Sequence, residues 1–89
     1  MKVHVPSPLR SYTNKDAVIS AVGANVAEIL ADIDGRFPGF RFRIIDEQDG
    51  IREHIKIFVN EDQVQDLKSP TKESDAVHII CALSGGMDK

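Results

Sequence analysis

The sequence predicts a single two-layer α+β domain, in which one main helix packs on one face of a mixed β-sheet. Three observations predict this class. Two short segments rich in β-branched residues open the chain, one amphipathic helical stripe follows, and the later segments alternate polar and apolar residues as strands do. One helix laid over one sheet is a two-layer arrangement. A chain of 89 residues has room for one such domain.

Two alternating runs predict an opening hairpin. Lys2–Val5 places its two valines on one face, and Asp16–Val22 contains several β-branched residues. Between them, Pro6-Ser7-Pro8 lacks two backbone donors, so we expect an irregular exit from the first strand. Asn14-Lys15 is a turn candidate, because asparagine tolerates a positive φ.

The main helix has the clearest start signal in the chain. Asn25 is a favourable N-cap, and Glu28 follows three residues later, as a capping box requires. Pro38-Gly39 ends the helix, and Asp32 and Asp34 oppose its dipole, so we expect the last turn to fray. The predicted buried stripe comprises Val26, Ile29, Leu30, Ile33 and Phe37.

The next segments are predicted to be strands. Phe40–Asp46 alternates apolar and polar residues, and Asp49-Gly50 after it is a turn dipeptide. His54–Val59 alternates cleanly, and Asn60-Glu61-Asp62 is expected to turn the chain into a short strand at Gln63–Gln65.

The closing strand completes the predicted topology. Lys68–Ser74 is polar and contains a proline, so it is expected to be a loop, and Asp75–Leu83 is a strongly apolar strand. A hairpin, a crossover helix and a return strand are the β-grasp arrangement, the ubiquitin-like fold. We therefore expect residues 1–83 to form the domain and residues 84–89 to form a flexible tail with Gly-Gly and a removable extension.

Composition excludes several classes of function. Eleven Lys and Arg against fourteen Asp and Glu give a net charge of −3, so there is no broad basic field for nucleic acid or an anionic membrane. A single cysteine forms no internal disulfide or all-thiolate iron–sulfur site, and is typical of a reducing cytoplasm. No apolar run approaches the roughly 18 residues of a membrane span, and the first residues lack the apolar middle of a signal peptide.

The tail carries the main chemical signal. Ser84-Gly85-Gly86 follows the last predicted strand, and a diglycine threads through a narrow channel because it has no side chains. A terminal glycine carboxylate is able to attack the α-phosphate of ATP in a partner enzyme and form an acyl adenylate. The Gly86 carbonyl, however, is in an amide bond to Met87, so Met87-Asp88-Lys89 must first be removed.

With this tail, the sequence resembles the ThiS/MoaD-type ubiquitin-like sulfur carrier proteins. Val5-Pro6-Ser7-Pro8-Leu9-Arg10, with Thr13, is similar to the first-turn phrase of the subgroup linked to cysteine biosynthesis. The segment Ile55–Asp62 resembles its central strand and turn, and Ser84-Gly85-Gly86 resembles its reactive tail. In members with a C-terminal extension, a zinc-dependent JAMM-type peptidase removes it.

The resemblance implies a reaction cycle. A JAMM-type peptidase cuts the Gly86–Met87 junction, an ubiquitin-activating-type enzyme uses ATP to adenylate Gly86, and sulfur replaces AMP to give a thiocarboxylate for a sulfide-accepting synthase. The chain itself would be a monomeric carrier with no enzymatic activity and no bound cofactor or metal. Cysteine or a related metabolite is the expected product, while methionine, thiamine, a siderophore and a thiolated nucleotide stay compatible.

A docking patch is predicted on the sheet face opposite the helix. Phe58, Ile80 and Ala82 have the strand parity that points away from the core, and exposed apolar side chains in contact mark interaction surfaces. The other interpretation is that a loop covers them. We call these three residues the outer patch.

Four other side chains invite catalytic or metal-binding roles. Cys81 shares its face with the buried positions of the last strand, which is typical of a small core hydrophobe. His4, His54 and His78 lack metal-ligand spacing and alternate outward, so a role on the sheet face is favoured, with their proximity in the fold left open.

Two further functional classes stay open at this point. In the first, Gly86 is joined to target lysines as in an ubiquitin-like modifier, which uses the same activated tail. In the second, the chain is an interaction domain and its diglycine is incidental. Lysine-linked adducts indicate the modifier, thiocarboxylate indicates the carrier, and a dispensable tail indicates the interaction domain.

Overall fold

A computed structural model describes residues 1–82, and residues 83–89 lie outside it. In chain order the elements are β1 (Lys2–His4), a 3-10 helix (Ser7–Leu9), β2 (Val18–Ser20), α1 (Val26–Arg36), α2 (Phe40–Ile44), β3 (Ile55–Val59), β4 (Asp62–Val64) and β5 (Ala76–Cys81).

The strands form one mixed sheet in the order β2-β1-β5-β3-β4. Only β1 and β5 run parallel, with Val3 opposite Val77, while the other neighbouring pairs are antiparallel. The parallel pair lies at the centre because α1 crosses over between the opening hairpin and the later strands. This arrangement confirms the predicted β-grasp fold, and it places β5, the strand that leads to the tail, in the middle of the sheet.

The start of α1 follows the predicted capping box with one shift. The Asn25 side chain accepts the Glu28 N–H at 2.9 Å, while the Glu28 carboxylate accepts the N–H of Ala24 at 2.9 Å. The first bond satisfies a donor that the first helical turn leaves unpaired, and the second holds the residue before the N-cap. The predicted stripe is confirmed, with Phe37 half-buried at the helix end and the other members buried.

The last turn of α1, which was predicted to fray, is helical through Arg36, and the N–H of Phe37 donates to the carbonyl of Ile33. Asp32 accepts the N–H of Val22 and pairs with Arg36, both at 3.1 Å, so its carboxylate is used by neighbouring groups. The Asp34 carboxylate accepts the N–H groups of Gly39 and Arg41, each at 3.1 Å. These carboxylates accept hydrogen bonds from backbone N–H groups at the start of α2 and just after β2. Those bonds offset the unfavourable position of the two charges on the α1 dipole.

The predicted strand at Phe40–Asp46 is wrong, because Phe40–Ile44 is the short helix α2. Phe40 and Ile44 are fully buried, whereas Phe42 between them is 53% exposed. A strand would place all three on one face, but a helix places only positions i and i+4 together. The alternation of apolar residues therefore had two possible explanations, and packing against α1 favours the helical one.

The turns agree with the sequence more closely. Asn14 and Lys15 have φ values of 54° and 71°, and Asp49 and Asn60 have φ values of 63° and 58°. These left-handed conformations are best tolerated by asparagine, aspartate and glycine, which explains most of the positions. The exit from β1 is helical rather than irregular, since Ser7–Leu9 forms the 3-10 turn.

The core lies between the sheet and the two helices. Its strand residues come from one face only, for example Val3, Ile57 and Val77, and they contact the apolar stripe of α1. Two buried polar side chains are hydrogen-bonded: Thr13 donates to the carbonyl of Asp16 at 2.8 Å, and Thr71 donates to the carbonyl of Gly23 at 2.9 Å. Among the described helices, none is long and apolar enough to cross a membrane.

Candidate functional site: the root of the tail and the outer sheet face

The predicted reactive residues Ser84, Gly85, Gly86 and Met87 lie outside the described residues. The structure does define the segment from which they continue, Cys81-Ala82, which we call the tail root. β5 is paired with β1 over three residues and with β3 over five. The N–H of Ala82 then donates to the carbonyl of His54 at 2.7 Å. The tail root is therefore fixed by main-chain bonds up to the last described residue.

The outer patch occupies the sheet face opposite α1. Ile80 is 45% exposed, Ala82 is exposed and Phe58 is half-buried. In the register of β3 and β5, Phe58 is opposite His78 and Ile80 is opposite Lys56, so the two apolar side chains are diagonal neighbours. Nearly half of the Ile80 side chain stays exposed, and the loop that contains Pro6 and Pro8 lines the same groove. The patch thus continues the exposed sheet face directly into the tail root.

Two histidines that are far apart in the sequence meet beside this patch. The rings of His4 and His78 are stacked, with centroids 4.3 Å apart and planes 13° from parallel. They are opposite one another in the register of β1 and β5. The sequence placed both on the outer face and left their proximity open, since the pairing of β1 with β5 is a non-local feature. His54, by contrast, is exposed just before β3.

Cys81 has the environment of a structural cysteine. Its side chain is half-buried and packs against the core, and burial raises the pKa of its thiol. A raised pKa keeps the sulfur in the protonated, weakly nucleophilic form at neutral pH. Cys81 therefore has the predicted packing role at the end of β5, although it is less buried than Val77 and Ile79.

Arginines surround the tail root. Arg52 lies over the exposed ring of Phe42, with its guanidinium carbon 4.6 Å from the ring centroid, and Arg43 lies over Tyr12 at 5.6 Å. Sequence reasoning missed this cluster because it assigned residues 40–46 to a strand. Within residues 1–82, no group of three or more His, Cys, Asp or Glu side chains is placed to hold a metal ion.

Comparisons with known proteins agree with the fold and with the class of protein. A sequence model of the ThiS family matches residues 3–86. The sulfur carrier protein CysO of Mycobacterium tuberculosis (strain ATCC 25618 / H37Rv) is 27% identical over 89 residues, covering 94% of this chain and 96% of that protein.

Solved structures show the same arrangement. A chain of the crystal structure of the Amycolatopsis orientalis BexX/CysO complex is similar with a TM-score of 0.89 and 31% identity, covering 96% of this chain and 98% of that chain. The small archaeal modifier protein 1 of Methanosarcina acetivorans has a TM-score of 0.78 and 22% identity, covering 96% and 94% of the two chains. At this level of identity, the similarity to the archaeal modifier protein is a similarity of fold alone.

Proposed function

This chain belongs to the ThiS family, as a sulfur carrier of the ubiquitin-like type, and from that premise we propose that it carries sulfur as a thiocarboxylate on Gly86. The proposal specifies the loaded atom, the order of the steps and the partners. In it the chain is a substrate of other enzymes and has no catalytic group, cofactor or metal of its own.

One observation carries the proposal: the family match ends at residue 86, and the segment before it continues from the central strand of the sheet. Gly86 is the fourth residue after Ala82, which is a reach of at most about 14 Å from the fixed tail root. A glycine terminus at that distance is able to enter the active site of an enzyme that holds the domain by its surface. This geometry supports Gly86 as the loaded residue.

The proposed chemistry begins with proteolysis. Water is added across the Gly86–Met87 amide by a JAMM-type zinc peptidase, which releases Met87-Asp88-Lys89 and leaves a Gly86 carboxylate. An oxygen of that carboxylate attacks the α-phosphorus of ATP in an ubiquitin-activating-type enzyme, and pyrophosphate leaves. Sulfide then attacks the acyl carbon, AMP leaves, and the product is the Gly86 thiocarboxylate. A synthase consumes this thiocarboxylate as its sulfide donor.

The outer patch supplies a docking surface in this proposal. Ile80 and Ala82 lie within the last residues before the tail, so an enzyme that contacts them holds the domain within a few residues of Gly86. Cysteine or a related sulfur metabolite is the proposed product, by analogy with the subgroup that the sequence resembles, and the cytoplasm is the proposed location.

The test is an intact-mass measurement with purified enzymes. The full chain is incubated with the peptidase, the activating enzyme, ATP and sulfide. We expect a species that ends at Gly86 and is heavier than the corresponding carboxylate chain by the exchange of one oxygen for one sulfur. Two control chains separate the steps: a chain ending at Gly86 is expected to load without the peptidase, and a chain ending at Ser84 is expected not to load.

Three results would contradict the proposal. The chain ending at Gly86 is not adenylated by an activating enzyme that is competent on its own substrate; or the full chain keeps its mass with an active peptidase; or Gly86 is recovered from the native host in amide bonds to lysine side chains of other proteins and never as a thiocarboxylate. The last result indicates a protein modifier.

A further inference from the structure

Three of the five arginines have no carboxylate partner within residues 1–82, and all three lie near the tail root. Arg36 pairs with Asp32, and Arg41 pairs with Asp49, each at 3.1 Å. The remaining arginines, which we call the root arginines, are Arg10, Arg43 and Arg52. None of the three forms a salt bridge among the described residues, although Arg52 lies near Asp46, whose pKa is lowered chiefly by the N–H groups of Gly50 and Gln48 and to a smaller extent by the charge of Arg52.

Each root arginine is held in place through one nitrogen only. The Nε of Arg10 donates to the carbonyl of Val5 at 3.0 Å, and the Nε of Arg52 donates to the carbonyl of Phe42 at 2.8 Å. The Nε of Arg43 donates to the Tyr12 hydroxyl at 2.7 Å. The terminal Nη atoms of all three have no acceptor among the described residues.

This geometry orders the guanidinium groups before any partner binds. The Nε bond and the aromatic ring beneath Arg43 and Arg52 restrict the side chain, so less conformational entropy is lost when the Nη atoms bind a ligand. Guanidinium groups with free Nη atoms bind carboxylates and phosphates strongly, because the bonds are charge-assisted. The root arginines are therefore prepared to bind anions.

The root arginines line two open grooves that adjoin at Cys81. One groove, of about 430 Å³, is lined by Arg43 and Arg52, and the other, of about 410 Å³, by Arg10. All three histidines of the chain also line these grooves, and among the described residues no Asp or Glu lines either one. Apolar side chains such as Phe42 and Ile80 separate the basic groups.

The spacing of the basic groups decides the class of ligand. A small phosphate or carboxylate needs donors that converge on one point, whereas these guanidinium groups are divided between two grooves on either side of Cys81. Basic and apolar groups that alternate over two grooves fit a protein surface with acidic residues around an apolar centre.

We propose that the root arginines are a docking site for acidic side chains of the enzyme that loads the tail, and that they orient the chain so that Gly86 enters its active site. This inference rests on the proposed function, because it concerns the same tail and the same enzyme. The outer patch supplies the apolar part of that contact and the root arginines supply its charge complementarity. Opposite charges at an interface accelerate association and set the orientation of the partners.

The experiment compares two variants with the processed chain in the adenylation reaction. Arg10→Gln/Arg43→Gln/Arg52→Gln is expected to raise KM about thirtyfold and to leave kcat within about twofold, because the chemistry occurs at Gly86. The control Arg36→Gln/Arg41→Gln removes guanidinium groups that are already paired, and its KM is expected to stay within about twofold.

Salt provides a second readout. For the unaltered chain, raising NaCl from about 50 mM to about 300 mM is expected to raise KM about tenfold, and the root variant is expected to lose most of that dependence. An unaltered KM in the root variant, or an equal loss in the control variant, would overturn the proposal. If the unaltered chain is not adenylated at all, the proposed function fails instead.

A measurement without the enzyme distinguishes a failure of the docking proposal from a failure of the proposed function. Hexaglutamate peptide is titrated into the uniformly labelled full chain and followed by amide chemical shifts. We expect salt-sensitive shifts at Arg43, Arg52 and Cys81, and none at Lys15 or Lys72, which are exposed elsewhere. Shifts spread equally over the lysines, or absent from the grooves, would overturn the anion-binding site whatever the outcome with the enzyme. Because this titration uses the unaltered chain, it tests the anion-binding site even if the triple variant does not fold.

Discussion

At the scale of single residues, one carboxylate joins the two connections at the end of the sheet opposite the tail root. Asp75 accepts from the Asn60 side-chain amide and from the N–H of Lys72, each at 2.9 Å. The side chain of Asn60, a residue with positive φ, in turn accepts the N–H of Ala76 at 3.0 Å. These bonds to the charged form hold the pKa of Asp75 below its ordinary value, the Asn60 bond being the largest cause.

The lowered pKa gives a stability that depends on pH with a definite sign. Because the folded-state pKa lies below the unfolded value of about 3.9, the contribution is fully present above that pH and is lost as the pH falls through the folded-state pKa. Asp75→Ala is therefore expected to lower the free energy of unfolding at pH 7 and to have progressively less effect as the pH falls below the ordinary carboxyl value of about 3.9. Urea unfolding across this pH range measures the difference.

Glu61→Ala is the matched control for Asp75, because Glu61 is exposed in the neighbouring hairpin turn and makes no described side-chain hydrogen bond. It is expected to unfold at nearly the same urea concentration as the unaltered chain at every pH. A constant difference between Asp75→Ala and the unaltered chain down to pH about 2.5 would show that the ionised carboxylate is not the source of the stability.

At the scale of elements, α2 shows how far local pattern determines structure. The alternation of Phe40, Phe42 and Ile44 predicts a strand, but five residues are too few to separate a period of two from a helical turn. What decides is contact beyond the segment: α2 packs on α1, and Asp34 accepts N–H groups at its start.

The two faces of α2 differ in burial, and this difference gives the second stability prediction. Phe40 is fully buried, so Phe40→Ala is expected to lower the free energy of unfolding by about 3–5 kcal/mol through lost burial and a cavity. Phe42 is 53% exposed and its ring lies beneath the Arg52 guanidinium, so Phe42→Ala is expected to cost no more than about 1 kcal/mol. Chemical denaturation of both variants measures the two values. Similar losses would contradict the helical assignment, because a strand places both rings on one face.

The elements that the sequence predicted correctly are those determined by interactions between residues close together in the chain. Asn25 and Glu28 cap α1 through bonds within one turn, and β3 follows from the alternation of Ile55, Ile57 and Val59. The contact of His4 with His78 depends instead on the parallel pairing of β1 with β5, which no local pattern specifies. Residues brought together by strand order are therefore the part of the candidate site that needed the structure.

At the scale of the whole molecule, the β-grasp arrangement gives the two faces of one sheet different roles. The helices cover one face and complete the core, while β5 at the centre carries the outer patch toward the tail root. Pairing with β1 holds the first half of β5, and pairing with β3 continues to Cys81, so the position from which the tail departs is fixed by main-chain bonds to β3.

The outer patch supplies the last prediction, and Ile80 is its best probe. Phe58 is half-buried, so a charge there would also alter stability, whereas Ile80 is 45% exposed and its strand is paired with β3 at this position. Ile80→Lys is expected to reduce kcat/KM for adenylation by about tenfold to a hundredfold, since a charge in the apolar centre of an interface must be desolvated. The thermal midpoint is expected to change little, as for other exposed positions.

The matched control for Ile80→Lys is Val22→Lys, which places the same charge at a 68% exposed valine beyond the end of β2. It is expected to be adenylated at the rate of the unaltered chain. Equal rates for both variants would remove the outer patch from the interface and leave the root arginines as the contact nearest the tail. A loss in Ile80→Lys alone, with an unchanged melting curve, would assign docking to the open face of the sheet, because the two variants carry identical charge and differ only in where they carry it.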